Sequence, residues 1–375
     1  FFHMLVCKQT LAAEGEMVLM DTIIEESYKN AYEVTKDLKE GVILAVETLA
    51  NEALYWWKQN HNIPVSDYTD DTFESEVKDD CLTIIYRLLF LFYAESRGEL
   101  EILPVDDEVY KRGYSLESLR DLEMVRLNSD ASRNGYFFDD SIRHLFSLLS
   151  DGHNAKVVNV NSKSFRVRPI DSPLFNDKKL HHLAGVRIRN IKWQEIIRAL
   201  SLSKKNYCGR ISYANLGVNQ LGSVYESLLA FRGFYAEEDY IEVHKANAPQ
   251  DGTFLVPYSR MGDFDISEVL CDQQTGNPVI LPEGTFVYRL NGRDRQKSAS
   301  YYTPEVLTRS TVKYTLKSIL DEVRASKRQA TELLELKILE PAMGAAAFQN
   351  EVINQLAEAY LAEQQRQQRE KGLRK

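Results

Sequence analysis

The sequence predicts a mainly helical N-terminal region with a small β insertion, followed by the beginning of an α/β domain. Apolar residues recur three and four positions apart through much of residues 1–235, which is typical of amphipathic helices. Short strand-like segments with glycine turns fill residues 236–298. Residues 299–375 contain a long helical pattern, then a strand, a tight turn and a second helix. We therefore expect three segments with these boundaries.

The clearest helical periodicity covers residues 20–60 and 81–96, and Arg97-Gly98 is a plausible end for the second helix. Residues 61–80 between them are polar and acidic. We expect a surface connector there, because its carboxylates would repel one another in a core. The aspartates of this connector are Asp67, Asp70, Asp71, Asp79 and Asp80.

Capping residues mark further helices downstream. Ser115 is a suitable first cap, and Asp139 or Asp140 caps another helix that closes at Gly152. The predicted helices are residues 115–122, 137–152, 193–203 and 219–233. Residues 156–170 fit either a strand pair or an extended arm.

Turn residues divide the β insertion, and a long helix follows it at residues 304–328. The predicted turns are Asp251-Gly252, Gly276-Asn277 and Asn291-Gly292.

Charge is unevenly distributed along the chain. The net charge is −9, but residues 1–155 carry −16, residues 156–210 carry +10, and the remainder carries −3. A polyanion responds to such a local field and not to the total. The basic segment is therefore a candidate for contact with DNA phosphates, the alternatives being a solvated face or pairing with the acidic first half. The candidate DNA-binding residues are Arg166, Arg168, Lys178, Lys179, Arg187, Arg189 and Lys192.

The four cysteines are scattered and form no CxxC pair, which indicates a reducing, cytoplasmic location. No apolar run is long enough to span a membrane. The chain opens with Phe1 instead of an initiator methionine, which suggests a fragment.

The stretch LKILEPAMGAAAF, residues 336–348, reads as a strand, a turn and an alanine-led helix. Such a turn lets backbone approach a ligand, and the helix start offers free N–H groups. One glycine, Gly344, is too few for a dinucleotide fingerprint, which disfavours a nicotinamide dehydrogenase. Upstream, Thr303 precedes Pro304 in SASYYTP and is a candidate helix cap. Alone, each pattern also fits an ordinary structural joint.

Together, SASYYTP and ILEPAMGAAAF resemble motif X and motif I of adenine-specific (N6) DNA methyltransferases in the gamma arrangement. That family includes type IIG restriction–modification enzymes and the methylases of the BREX and DISARM phage-defence systems. The helical stretches 86–98 and 221–231 also resemble the region preceding the methylase domain. The resemblance implies that residues 299–375 begin a class I, Rossmann-like domain.

The resemblance also implies S-adenosyl-L-methionine as cofactor and double-stranded DNA, with other defence-system subunits, as partners. The residues that match cofactor-binding positions are Tyr302, Thr303, Pro304, Glu340, Pro341, Ala342, Gly344 and Phe348. The family usually has Asp where Glu340 stands and Ser-Gly where Ala345-Ala346 stand. A carboxylate is thus retained, and a glycine is replaced by the next smallest residue.

The family's catalytic tetrapeptide, Asn/Asp-Pro-Pro-Tyr/Phe, is absent from the sequence, so no catalytic residue is assigned. We expect a fragment of an adenine-N6 methyltransferase, inactive alone and active as the full-length protein. The alternative is a non-catalytic DNA-binding or assembly module of a defence complex.

Two further patterns are weaker. Glu76 and Lys78 match part of a nuclease motif, but that motif needs a strand end and this stretch has little strand pattern. His181-His182 could be metal ligands, although surface histidines near a polyanion site fit the segment better.

Overall fold

A computed structural model of the chain is mostly helical, with small antiparallel sheets. It divides into two compact units, residues 1–217 with 230–296 and residues 218–229 with 297–375. The described residues are 19–60, 70–154, 166–170, 172–203, 209–216, 218–229, 231–245, 248–272, 275–290, 303, 305–325, 329–343 and 346–373. No helix among them is both long and apolar enough to cross a bilayer. A Rossmann-like sheet remains a prediction.

The first unit is built on two long helices and several short ones. Its helices are α1 (Leu19–Asn60), α2 (Asp71–Ser96), α3 (Glu108–Gly113), α4 (Leu116–Arg120), α5 (Asp130–Asn134), α6 (Phe137–Asp151) and α7 (Asn190–Ser201). Buried positions on α1 recur three and four residues apart, at Leu38, Val42, Ala45 and Leu49, so one face of the helix forms the core.

The small sheets of this unit are antiparallel. Their strands are β1 (His153–Asn154), β2 (Arg166–Val167), β3 (Phe231–Tyr235), β4 (Tyr240–Lys245), β5 (Ala248–Pro257), β6 (Ile280–Leu281) and β7 (Phe286–Leu290). They pair as β1-β2, β3-β7 and β5-β4-β6. Of the strand pair or extended arm predicted at residues 156–170, only β2 is described; it pairs with β1, which precedes that stretch, and residues 156–165 lie outside the described chain.

Polar side chains of α1 and α2 attach the β3-β7 pair to the helices. Asn51 on α1 accepts from the backbone N–H of Phe286 at 2.8 Å and donates to its carbonyl at 3.1 Å. Glu74 on α2 accepts from the N–H of Tyr235 at 2.8 Å. The edge groups of both strands are thereby satisfied by side chains.

The connector prediction was wrong over residues 71–80, which form the start of α2, while residues 61–69 lie outside the described chain. Asp70, Asp71 and Asp79 are exposed, as predicted, but Asp80 is only 1% exposed. Its carboxylate accepts from the backbone N–H groups of His181, His182 and Leu183 at 3.0, 2.7 and 3.0 Å. A charge can be buried at this position because three donors replace its water.

Other element ends also differ from prediction. Asp139 is not a cap: α6 begins at Phe137, and Asp139 lies within it at 0% exposure. The helix expected to reach residue 233 ends at Leu229, because β3 begins at Phe231. α3 was not predicted, although the side chain of Asp107 caps it by accepting from the N–H groups of Val109 and Tyr110.

The predicted turns have mixed outcomes. Asp251-Gly252 lies inside β5, so that turn was wrong. The turn at Gly276-Asn277 is confirmed, with Gly276 at a φ of 71°. Asn291-Gly292 lies outside the described residues. The predicted cap at Ser115 is confirmed, since its side chain accepts from the N–H of Ser118.

The second unit contains α8 (Val218–Leu229), α9 (Glu305–Arg324) and α10 (Ala347–Leu373). α9 confirms the long helix predicted at residues 304–328. Its buried face packs on residues of α10 and of the short 3-10 helix Ala330–Glu335. The cluster includes Val312, Leu316, Leu320, Val323, Ala330 and Leu333, with Phe348, Val352 and Leu356 against it.

The crossing of α1 and α7 requires a glycine. A Cβ on Gly41 would lie 1.9 Å from the carbonyl oxygen of Ala199, which belongs to helix backbone. Backbone cannot shift as a flexible side chain can. We expect Gly41→Ala to lower the free energy of unfolding by about 3 kcal/mol through overpacking.

Urea denaturation followed by circular dichroism measures this change. Gly113→Ala is the matched control, because no atom lies within 4 Å of its added Cβ. The control should change stability by less than about 1 kcal/mol. Equal stability of the two variants would contradict the close crossing.

Glu95 links α2 to the short helices. It accepts from the Tyr110 hydroxyl at 2.7 Å and from the N–H groups of Leu116 and Glu117 at 2.8 and 2.9 Å. Burial raises the pKa of Glu95 to about 7, although these hydrogen bonds oppose the shift. A raised carboxyl pKa favours folding while the group is protonated.

The stabilising contribution of Glu95 is complete below its ordinary pKa of 4.5 and is lost as pH rises through about 7. Glu95→Gln mimics the protonated acid, so it should remove this part of the pH dependence. We expect the variant to gain on the order of 1–2 kcal/mol relative to wild type between pH 5 and pH 8. Unfolding free energies at both pH values test this, and a constant difference between the proteins would refute it.

Candidate functional site

The turn before α10 is the centre of the predicted cofactor site. Residues 336–339 were predicted to form a strand, but they have no regular secondary structure and belong to none of the described sheets. Pro341 and Ala342 are exposed, and Met343 is 53% exposed. Gly344 lies outside the described residues. The turn therefore presents accessible surface to a ligand.

Ala346 closes this turn in a backbone conformation that favours glycine. Its φ is 59°, in the left-handed region where a Cβ crowds the following carbonyl, at a cost of about 1 kcal/mol. Its N–H donates to the carbonyl of Met343 at 2.7 Å, and its carbonyl accepts from the N–H of Asn350 at 2.9 Å. The methyltransferase family that the motif resembles has glycine at this position, and Ala346 has a left-handed backbone conformation that glycine adopts without strain.

Glu340 caps α10 from across the turn. Its Oε2 accepts from the backbone N–H of Gln349, the third residue of the helix, at 3.3 Å. Ala346 stands at the usual capping position and has no side-chain acceptor. A carboxylate here also interacts favourably with the positive end of the helix dipole. Glu340 is partly buried and therefore held in position.

This arrangement decides which ligand charge the turn accepts. A helix start with free N–H groups attracts phosphate. Here the carboxylate of Glu340 already occupies that position, so a second anion would be repelled. An ammonium group would instead gain a charge-assisted hydrogen bond. The turn is suited to an amine.

The second predicted motif precedes the start of α9. Thr303 is partly exposed, and its carbonyl lies 3.5 Å from the hydroxyl of Thr308, which donates to it. Tyr302 and Pro304 lie outside the described residues.

The N-terminal halves of α9 and α10 contact each other. Gln355 donates from Nε2 to the carbonyl of Arg309 at 3.1 Å, and Arg309 Nε is 3.9 Å from Glu351 Oε1. Phe348 packs on the shared apolar cluster. The helices that follow the two motifs, 37 residues apart in sequence from Thr303 to Glu340, thus contact each other through their N-terminal halves.

Two of the candidate DNA-binding residues are bound within the first unit. Arg189 donates to both oxygens of Glu52, at 2.6 and 2.7 Å, and its guanidinium lies 4.0 Å from the ring centre of Tyr55. Arg187 donates to Asp139 at 2.7 Å and to Asp140 at 2.6 Å. Both guanidinium groups are committed to carboxylates of the acidic helices.

The other candidates differ in their environment. Lys192 pairs with Glu195 at 2.8 Å, and both side chains are partly exposed. The remaining four are exposed and form no ion pair with any residue that the structure describes; they are Arg166, Arg168, Lys178 and Lys179.

The weaker patterns have structural roles. His182 Nε2 lies 2.7 Å from Glu76 Oε2, and its ring contacts Phe73 at 4.6 Å between centres. Glu76 and Lys78 lie within a helix, so the strand end that a nuclease site needs is not present there. No group of His, Cys, Asp and Glu that could hold a metal occurs in the described part of the chain.

The residues that sequence reasoning missed are buried acids, namely Glu52, Asp80 and Asp139. Each is at most 2% exposed and is held by donors from the basic segment. Their signal is an acid on the apolar stripe of a helix, for example Asp139 beside Phe138 and Ile142.

Removing Arg189 should leave Glu52 buried without its partner. We expect Arg189→Gln to lower the free energy of unfolding by about 3 kcal/mol. Lys192→Gln is the control, since a partly exposed pair contributes less than about 1 kcal/mol. Urea denaturation compares the two, and a small effect in both would contradict the role of the Glu52–Arg189 pair.

Comparison with known proteins returned no match: no family model, no curated protein and no solved structure is similar to this chain.

Proposed function

We propose that the second unit binds S-adenosyl-L-methionine and that the parent protein is a site-specific DNA adenine-N6 methyltransferase of a restriction–modification or phage-defence system. The observation that carries this proposal is the contact between the N-terminal halves of α9 and α10. Each helix follows one of the two motifs that resemble the family. A ligand bound by one motif is therefore within reach of the same helix pair.

The charge at the turn supports this cofactor over a dinucleotide. S-adenosylmethionine carries an amino group and a positively charged sulfonium, and it supplies the activated methyl group for transfer to the adenine amine. Glu340 offers a carboxylate whose position is held by the N–H of Gln349. A pyrophosphate would meet that carboxylate at the helix start and be repelled.

Other residues of the turn hold the backbone in place. Phe348 anchors the first turn of α10 in the apolar cluster. Pro341 restricts the backbone, and Ala342 keeps the exposed surface small. Thr303 lies just before α9 and is proposed to contact the methionine end of the cofactor.

The proposal separates binding from chemistry. The sequence contains no Asn/Asp-Pro-Pro-Tyr/Phe tetrapeptide to receive an extruded adenine. This chain is therefore proposed to bind cofactor without transferring the methyl group by itself. Double-stranded DNA and other defence subunits are the proposed partners, and the cytoplasm is the proposed location.

Isothermal titration of the chain with S-adenosylmethionine tests the cofactor. Glu340→Gln should weaken binding by about tenfold or more, because a hydrogen bond to a charged group contributes about 1.5–3 kcal/mol. Glu335→Gln is the matched control, an exposed carboxylate five residues upstream. It should leave the affinity unchanged.

NADH, which carries a pyrophosphate, is titrated in the same way as a negatively charged comparison ligand, and we expect no binding. Absence of S-adenosylmethionine binding to the wild-type chain would overturn the proposal. If Glu335→Gln weakened the affinity equally, the loss would come from the general electrostatic field of the protein and not from the turn. DNA binding without cofactor binding would favour the assembly-module alternative.

A further inference from the structure

The basic segment contains two kinds of cation, and only one kind is available to a partner. Arg187 and Arg189 direct their N–H groups to Asp139 and Glu52, which are nearly completely buried. Rotating Arg189 outward would leave the buried carboxylate of Glu52 without its ion-pair partner, at a cost of several kcal/mol. Rotating Arg187 outward would break its pairs with Asp139 and Asp140, although Asp139 would keep Arg143 and Trp193 as donors. These arginines are part of the fold.

Each pair of exposed cations lies next to a buried apolar residue of the basic segment. Arg166 and Arg168 flank Val167, which is 1% exposed, so both arginines lie on the outer side. Arg166 belongs to β2, and Arg168 directly follows its last residue. Lys178 and Lys179 precede Leu180, which is 8% exposed.

Arg87 holds the backbone that precedes Lys178 and Lys179. It is 1% exposed and donates to the carbonyl of Leu174 and to Asp177 Oδ1, both at 2.5 Å. Its charge is directed at Asp177, the acid next to the two lysines. Phe175 is buried beside it, with its ring 5.4 Å from that of Phe90. The lysines therefore extend from an anchored backbone whose neighbouring acid is already paired.

We infer that Arg166, Arg168, Lys178 and Lys179 form a phosphate-binding surface for the backbone of double-stranded DNA, and that Arg187 and Arg189 take no part in it. The choice of DNA rests on the proposed function. Contact with phosphates releases condensed counterions, so each cation that binds contributes to the salt dependence of affinity. Binding through these four cations is independent of base sequence.

Fluorescence anisotropy of the full chain with a labelled duplex, across a range of salt concentrations, tests the inference. Two double variants are used, Arg166→Gln with Arg168→Gln and Lys178→Gln with Lys179→Gln. Each should lower the slope of log affinity against log salt by about 2 and weaken binding about tenfold or more near 0.1 M salt. Thermal unfolding should be unchanged, because the replaced side chains are exposed.

The matched control is Lys111→Gln with Arg112→Gln, an adjacent exposed pair on α3. It removes the same charge and should leave the salt slope unchanged. Equal loss of slope in the control would overturn the surface by showing that only net charge matters. Unchanged slopes in both test variants would overturn it directly, as would a wild-type chain that binds phosphatidylserine vesicles but not DNA.

The two proposals fail separately. Cofactor titration depends on Glu340 and the second unit, whereas this anisotropy depends on the first. Loss of cofactor binding with an intact salt effect would remove the methyltransferase proposal and leave the phosphate surface standing.

Discussion

The pairing of buried carboxylates with the basic segment is the interaction on which the first unit depends. Glu52, Asp80 and Asp139 come from three different helices, and each is almost inaccessible to water. Residues 181–193 donate to all three through backbone N–H groups, arginines and the indole of Trp193, and Asp139 also accepts from Arg143 on its own helix. A buried charge is tolerated only with such donors, so the helices and this segment must fold together.

This pairing shows that the net charge of each stretch overstates the charge that the first unit presents at its surface. An excess of −16 in residues 1–155 and of +10 in residues 156–210 reads as two opposite surfaces. Part of that charge instead meets inside the unit and has no field outside it. A partner encounters only the charges that remain exposed. These lie at residues 166–179, and not at the paired arginines Arg187 and Arg189.

The sequence predicted local structure better than it predicted these contacts. The cap at Ser115, the turn at Gly276 and helix α9 follow from chemistry within a few residues. Asp80 and Asp139 were assigned to a surface and a cap, because a carboxylate on an apolar stripe is ordinarily excluded from a core. Their donors lie some fifty to a hundred residues away, and only the tertiary register brings them together.

The turn before α10 combines a strained backbone conformation with a side-chain cap. Ala346 holds a left-handed conformation at a cost that glycine would not incur, and as a cap it contributes no side chain. Glu340 offsets this by reaching the N–H of Gln349, which places a carboxylate where a free helix start would bind an anion. The same contact that stabilises the helix therefore sets the charge preference of the turn. Under the proposed function, the hydrogen bond that caps α10 is also the one that favours a ligand amine at this turn.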